Sequence, residues 1–201
     1  MIASRVCLPL RFNPAGLAAD VAGLAPQEWV AHFNTDYYQG DWSGVALRSA
    51  GGAPLALYPD PAAAAADWGD TDALRASQAL AAAVARFQCD LQSVRLLRLG
   101  PGASIREHSD YRLGHEDGEV RVHVPITTSA EVEFLHDGQR VEMAPGEAWY
   151  LDLNLPHSVA NRGSEPRVHL VVDCVVNDWL DRQLRKGSVA RREDPLQRDD
   201  V

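Results

Sequence analysis

Cysteine is scarce in this sequence. There are three in 201 residues, Cys7, Cys89 and Cys174, far apart and with no Cys-x-x-Cys pair. An odd, scattered set excludes a disulfide framework and fits reduced, mostly buried thiols. Long apolar runs are missing as well. The first ten residues hold no apolar core long enough for a signal peptide. No stretch approaches the roughly 18 apolar residues of a membrane span. The expectation is a cytoplasmic protein with no membrane partner. Positive charge is short too: 19 Lys and Arg against 28 Asp and Glu leave a net charge of −9. Nucleic-acid binding needs a basic stripe. The densest basic cluster, residues 182–186 with Arg191 and Arg192 beyond, is broken by acidic residues and reads as solvated surface. The acidity favours solubility and says little about partners. No internal repeat is visible. What is present, 46% hydrophobic and 23% charged residues, is ordinary for a globular protein. A chain of 201 residues suits one domain with a sizeable core.

The pattern is helical early and alternating later. Residues 5–12 are short and apolar with Pro9 inside, which suits an edge strand. Asn13-Pro14 supplies an N-cap and a first-turn proline for a helix carrying Leu17, Val21 and Leu24. Pro26-Gln27-Glu28 starts a second helical turn, placing Trp29, Val30 and Phe33 on a packing face. Residues 34–40 read as loop, 42–49 as a strand, and 53–70 as a loop rich in proline and alanine. Asp70-Thr71-Asp72 caps a helix through about Phe87, with Leu74, Leu80, Val84 and Phe87 as its apolar stripe. From residue 91 short strands follow turn signals: 93–99, 104–108, 119–126, 131–136, 140–143, 148–153 and 167–176. Asp137-Gly138 marks a hairpin. This spacing predicts a mainly β fold with flanking helices, and the jelly roll of cupin-like proteins is the natural candidate. Residues 1–90 would supply strands and support helices, 91–176 the core, and 177–201 a short helix and a charged tail.

Candidate chemistry sits in that core. His108 and Asp110 are two apart, so on a strand both point to one face. His157 follows Pro156 in what reads as a later loop. Two imidazoles and one carboxylate on one face are the ligand set of non-haem Fe(II) oxygenases. A lone His-x-Asp is a weak motif; the later Pro-His-Ser-Val strengthens it. Arg167 and His169 share a face of the next strand. An arginine inside a barrel needs a partner, either a carboxylate ligand held by its fork or an internal ion pair with Asp173, Glu133 or Glu147. Arg121 and His123 share one face of their strand while Val120, Val122 and Val124 take the other, which suggests a polar cavity. Arg48 ends an apolar strand; it either reaches solvent or aims at a substrate carboxylate. Trp42, on the same strand, is a second substrate-side candidate.

The run His108-Ser109-Asp110, Arg121-Val122-His123-Val124-Pro125-Ile126, Gly146 to Asp152, Pro156 to Asn161 and Arg167 to Asp173 resembles the aspartyl/asparaginyl β-hydroxylase family, and is similar also to the bacterial cis-4-proline hydroxylases of that superfamily. The segment Gly40 to Arg48 resembles it too, so the likeness covers roughly residues 37–176. It implies a double-stranded β-helix that binds Fe(II) and 2-oxoglutarate and hydroxylates an unactivated carbon. Carried over by residue, His108 and His157 are the iron histidines, Arg167 holds the distal carboxylate of 2-oxoglutarate, and Arg121 and His123 line the cosubstrate and substrate pocket. Two departures stand out. The animal enzymes carry glycine where this chain has Asp110. They also carry a 2-oxoglutarate serine near the position of Leu97. The full triad sets this chain with the proline hydroxylases. The expected acceptor is an amino acid, free or tethered to a peptide or carrier protein. Two rivals share the barrel: a cupin-like metal-binding sensor or binding module, and a metalloenzyme that needs no 2-oxoglutarate.

Overall fold

The computed structural model describes residues 1–57 and 67–189. The alternating second half forms the strands its pattern requires, and the first half supplies further strands to the same sheets. In order they are β1 (Arg5–Arg11), β2 (Val30–Ala31), β3 (Tyr38–Gln39), β4 (Trp42–Ala50), β5 (Trp68–Asp70), β6 (Leu91–Leu99), β7 (Ser104–His108), β8 (Glu119–Thr127), β9 (Val132–His136), β10 (Gln139–Arg140), β11 (Glu147–Leu151), β12 (His157–Asn161), β13 (Arg167–Val175) and β14 (Ser188–Val189). The helices are α1 (Pro14–Gly23), α2 (Asp72–Ala76), α3 (Gln78–Val84) and α4 (Asp178–Lys186). The strands pair antiparallel into two sheets. The larger runs β14-β1-β11-β8-β13-β6-β4-β2, with β5 added on β4; the smaller runs β10-β9-β12-β7-β3. Two facing antiparallel sheets of this kind are a jelly roll.

Strand period explains the layers. On β8, Val120, Val122 and Val124 face the helices, and on β13 Val168, Leu170 and Val172 do the same. All six join a buried cluster with Leu17, Leu74, Leu80, Val84, Leu180 and Leu184. Each such side chain contributes roughly 1.5–3 kcal/mol when fully buried. The opposite faces point between the sheets. That interior holds an apolar cluster with Leu99, Ile105, Phe134, Trp149, Leu151 and Val159. Set among these apolar side chains are Arg95, Arg121, His123, Arg167, His169 and Asp173, all buried except the half-buried Arg121.

Several expectations meet corrections here. The helix expected from Asp72 to Phe87 is two helices, broken at Ser77, whose extended backbone ends α2 and opens α3. Its stripe still packs as expected. Phe33, expected on a packing face, is instead 72% exposed, its ring stacked beside His32 at 5.1 Å. The later loop expected to carry His157 is strand β12, paired with both β7 and β9. The strand expected over 140–143 stops at Arg140. At the hairpin, Asp137 and Gly138 both take positive φ (51° and 67°), the geometry that an Asp-Gly turn favours. Of the charged tail, Ser188 and Val189 pair with β1; the end of the expected 53–70 loop, Trp68–Asp70, is strand β5, and residues 58–66 and 190–201 fall outside the described residues. Among the described residues no helix is long and apolar enough to cross a membrane.

Candidate metal centre

His108 closes β7 and His157 opens β12, and the two are direct cross-strand partners in the smaller sheet. Their rings lie 4.3 Å apart between centroids. Asp110 is just past the end of β7 rather than on it. Its backbone N–H donates to the Leu153 carbonyl at 2.8 Å, which turns the carboxylate back toward His108. Asp110 Oδ1 sits 3.8 Å from His108 Nε2. One donor atom from each of the three residues lies within 4.8 Å of the others.

The second nitrogens decide the tautomers. His108 Nδ1 donates to the Arg106 carbonyl at 2.8 Å, and His157 Nδ1 donates to the Leu155 carbonyl at 3.0 Å. A carbonyl can only accept, so each proton sits on Nδ1. Both Nε2 lone pairs are left free for a metal, the arrangement typical of ligating histidines. Burial pushes His157 down to about 4, with His108 adding to the effect, so its ring is neutral at pH 7. Two imidazoles and a carboxylate form an open three-ligand set suited to Fe(II).

Beside this cluster lies a cavity of about 450 Å³, lined by Trp42, Arg95, Leu97, Phe134 and Arg167 among others. Arg167 is its most informative member. The side chain is 2% exposed. No carboxylate pairs with it among the described residues, and its Nε has no hydrogen-bond partner. The ion pairs with Asp173, Glu133 or Glu147 that were open from sequence do not form: Asp173 pairs with Arg95 and Arg121, Glu133 with Arg162 and Glu147 with Arg11. One arm of Arg167 donates to His169 Nδ1 at 2.7 Å, a neutral acceptor. Burial alone pushes its guanidinium down to about 9. His123 is stranded in the same way, buried with neither ring nitrogen partnered. A buried cation without a carboxylate and a buried imidazole without a partner are costly unless a polar ligand completes them.

The other expected residues divide. Trp42 lines the cavity, stacks on His32 at 3.6 Å and leaves its indole N–H unpartnered. Arg121 reaches the cavity, but its fork grips Asp173 (2.6 and 3.0 Å) and its third nitrogen meets Asp110 Oδ2 at 2.6 Å. Burial works against its charge, yet the two carboxylates outweigh it and hold the group above the usual arginine range. Arg48 is not brought to the cavity. It pairs with Asp70 at 2.6 Å and donates to the carbonyls of Trp68 and Leu91. Sequence reasoning passed over His32 and Arg95, which also line the cavity. Arg95 had a readable signal, since Ser93, Arg95 and Leu97 share the inner face of β6. His32 had none, because a loop of unknown path carries it.

His123 and His169 fall well below the usual imidazole range, first through burial and then through the Arg167 cation. Between those depressed values and 6.5 the unfolded chain binds more protons than the folded one. Their contribution to stability is therefore full above about pH 6.5 and is lost as pH falls below it, at up to about 1.4 kcal/mol per pH unit for each ring. Denaturant unfolding from pH 7 to 5 is expected to show a shallower decline in His169→Gln, which keeps an acceptor for Arg167. An unchanged slope would remove His169 from this account.

Comparison with known proteins agrees with this geometry. A family model described as Aspartyl/Asparaginyl beta-hydroxylase matches residues 19–176. An L-proline cis-4-hydroxylase from Rhizobium meliloti (strain 1021) is 29% identical over 170 residues, 82% of this chain. The chain spans 58% of the length of that curated relative. Among solved structures, a Pseudomonas putida prolyl-4-hydroxylase superposes with a TM-score of 0.51 at 16% identity, covering 87% of this chain and 93% of its own. An oxidoreductase of the 2OG-Fe(II) oxygenase family from Burkholderia pseudomallei gives 0.50 at 14% identity, covering 81% and 79%. These two likenesses establish the fold.

Proposed function

This chain belongs to the aspartyl/asparaginyl β-hydroxylase family, and from its site we propose that it is an Fe(II)- and 2-oxoglutarate-dependent dioxygenase that hydroxylates an unactivated carbon of an amino acid or of an aspartyl/asparaginyl-type residue. The observation that carries the reading is Arg167. A buried guanidinium with no carboxylate partner faces the same cavity as an open two-histidine, one-carboxylate cluster. A plain metal-binding module has no use for such a group. A cosubstrate with a metal-chelating end and a distal carboxylate fits both at once.

The residues present fit both groups. His108 Nε2, His157 Nε2 and Asp110 Oδ1 would hold the iron. Arg167 would clamp the distal carboxylate of 2-oxoglutarate through its free edge, and a fork-on-carboxylate pair of this kind is strong in a dry site. His123, with two unpartnered nitrogens, can donate to the cosubstrate from the side. When bound, iron and 2-oxoglutarate together supply the oxidising chemistry, with O₂ consumed and succinate and CO₂ released. The protein's own work is placement. The Nδ1 hydrogen bonds keep both imidazoles aimed. Phe134 lies 5.7 Å from His123, and Arg167 sits over its ring at 5.9 Å, so it fills the floor of the cavity and keeps water from it.

On the acceptor side the cavity opens past Phe33, Tyr37 and Tyr111, three exposed rings at its lip. Trp42 offers an indole N–H farther in. A carboxylate-bearing amino acid suits the inner part, and the aromatic lip suits the part that extends outward when the residue is tethered. The test is anaerobic titration of the metal-free protein with Fe(II) and then 2-oxoglutarate, followed by the weak visible charge-transfer band of the chelate. A band, and succinate release with a free or peptide-borne amino acid, is the expected result. Iron uptake with no band would turn the reading to a metal-binding cupin.

A further inference from the structure

Asp110 has two oxygens and two claimants. Oδ1 lies on the His108 side, and Oδ2 accepts from Arg121 Nη1 at 2.6 Å. A guanidinium beside a carboxylate ordinarily takes both oxygens through its fork. Arg121 does not, because its fork is already engaged. Nε and Nη2 bind the two oxygens of Asp173 at 2.6 and 3.0 Å. Asp173 and Arg121 are direct cross-strand partners on β13 and β8, so this grip is built into the sheet register. Asp173 Oδ2, which accepts from Arg121 Nη2, also accepts from Arg95 Nη2 at 3.1 Å, and Arg95 Nη1 donates to Ser93 Oγ at 2.8 Å. The four charges form a chain, Arg95 to Asp173 to Arg121 to Asp110, with its far end buried and Asp110 at the cavity.

We propose that Asp173 is a positioning residue for the metal carboxylate: by occupying the fork of Arg121 it leaves Asp110 Oδ1 free for the iron. Arg121, on this view, steadies Asp110 rather than clamping substrate. Without Asp173, the fork of Arg121 has one carboxylate left to pair with, and that carboxylate is Asp110. The cation then competes with the metal for both oxygens. Groups directly behind metal ligands are typically worth about 10- to 100-fold in affinity, and active competition belongs at the upper end of that range. The inference rests on the reading of Asp110 as a metal ligand.

The test is Mn(II) affinity of the metal-free protein, followed by the disappearance of the free-ion EPR signal, so turnover is not needed. Asp173→Asn is expected to bind Mn(II) about 100-fold more weakly than the parent. Arg121→Gln, which removes the competitor, loses less than Asp173→Asn. The double variant R121Q/D173N binds like R121Q alone, because Asp173 acts only through Arg121. A merely structural role gives the opposite order, with the double variant at least as weak as D173N, and that order overturns the proposal. Parent-like affinity in D173N overturns it as well. Should D173N not fold, R121Q against R121Q/D173N carries the decision: equal affinities support the relay, and a further large loss refutes it. A parent that takes up Mn(II) but forms no band with Fe(II) and 2-oxoglutarate loses the oxygenase reading and still lets these affinities decide the relay. A parent that takes up no Mn(II) loses both.

Discussion

Replacing Arg167 with methionine is expected to raise the 2-oxoglutarate concentration for half-maximal turnover by roughly 30-fold to a few thousandfold, and to leave the ligand-free protein at least as stable as before. The first half follows from desolvated charge. Truncating one partner of a buried, hydrogen-bonded charge pair costs about 2–5 kcal/mol, and each 1.4 kcal/mol is about tenfold. The second half follows from the lack of a partner in the free protein. A cation held 2% exposed without a carboxylate is a strain on the fold, visible in the depression of its pKa to about 9. Methionine removes that strain. Against it stands the hydrogen bond to His169, worth about 1 kcal/mol, which does not outweigh the strain relieved. The measurements are 2-oxoglutarate KM under saturating iron and thermal unfolding with and without 2-oxoglutarate. The parent is stabilised by the ligand through mass action and the variant is not. A variant that unfolds well below the parent yet keeps its cosubstrate affinity would make Arg167 a structural group.

The second large effect belongs to His157. His157→Ala is expected to lower turnover by more than about 100-fold, because even groups one shell behind a ligand are worth about 10- to 100-fold. It should also abolish the rise in unfolding temperature that Mn(II) gives the parent. The ring is 5% exposed and sits in the middle strand of the smaller sheet, so no other side chain can move into its place. Near-parental activity in His157→Ala at saturating iron would dissolve the centre as drawn.

Much of this site could be read from the sequence because it depends on strand period. His108 and Asp110 sit two apart, Arg121 and His123 two apart, Arg167 and His169 two apart. The last two pairs fall on the face the alternation predicts, whereas Asp110 lies past the end of β7 and meets His108 through a turn held by the Leu153 carbonyl; all three pairs reach the interior between the sheets. What could not be read depends on which distant strands become neighbours. Arg48 looked like a cation aimed at substrate. Its partner, Asp70, comes from a three-residue strand that adds to β4 only after the chain has travelled 22 residues. Asp173 was open as a partner for Arg167. The antiparallel register of β13 against β8 and β6 gives it instead to Arg121 and Arg95. The strand character of His157 was hidden by Pro156, a turn former that stands immediately before β12. Ser77 interrupts an alanine-rich helix with no proline or glycine to announce it. There the Asp20 carboxylate, from α1, accepts from the Leu80 N–H and caps the second helix from outside.

The cross-strand pairing of His108 with His157 has one more consequence. The two residues are separated by a long stretch of chain that includes β8 to β11, yet they face each other across a single ladder of the smaller sheet. An ion gripping both rings closes that stretch into a ring, as a covalent bridge would. Unlike a disulfide, it acts on the folded form, which it stabilises by mass action as long as the ion is bound. The chain has no cystine among its described residues; its three thiols are free. Such an ion would be a reversible cross-link, present when the metal is available and undone when it is stripped, in a smaller sheet with no other fastening of that kind among the described residues.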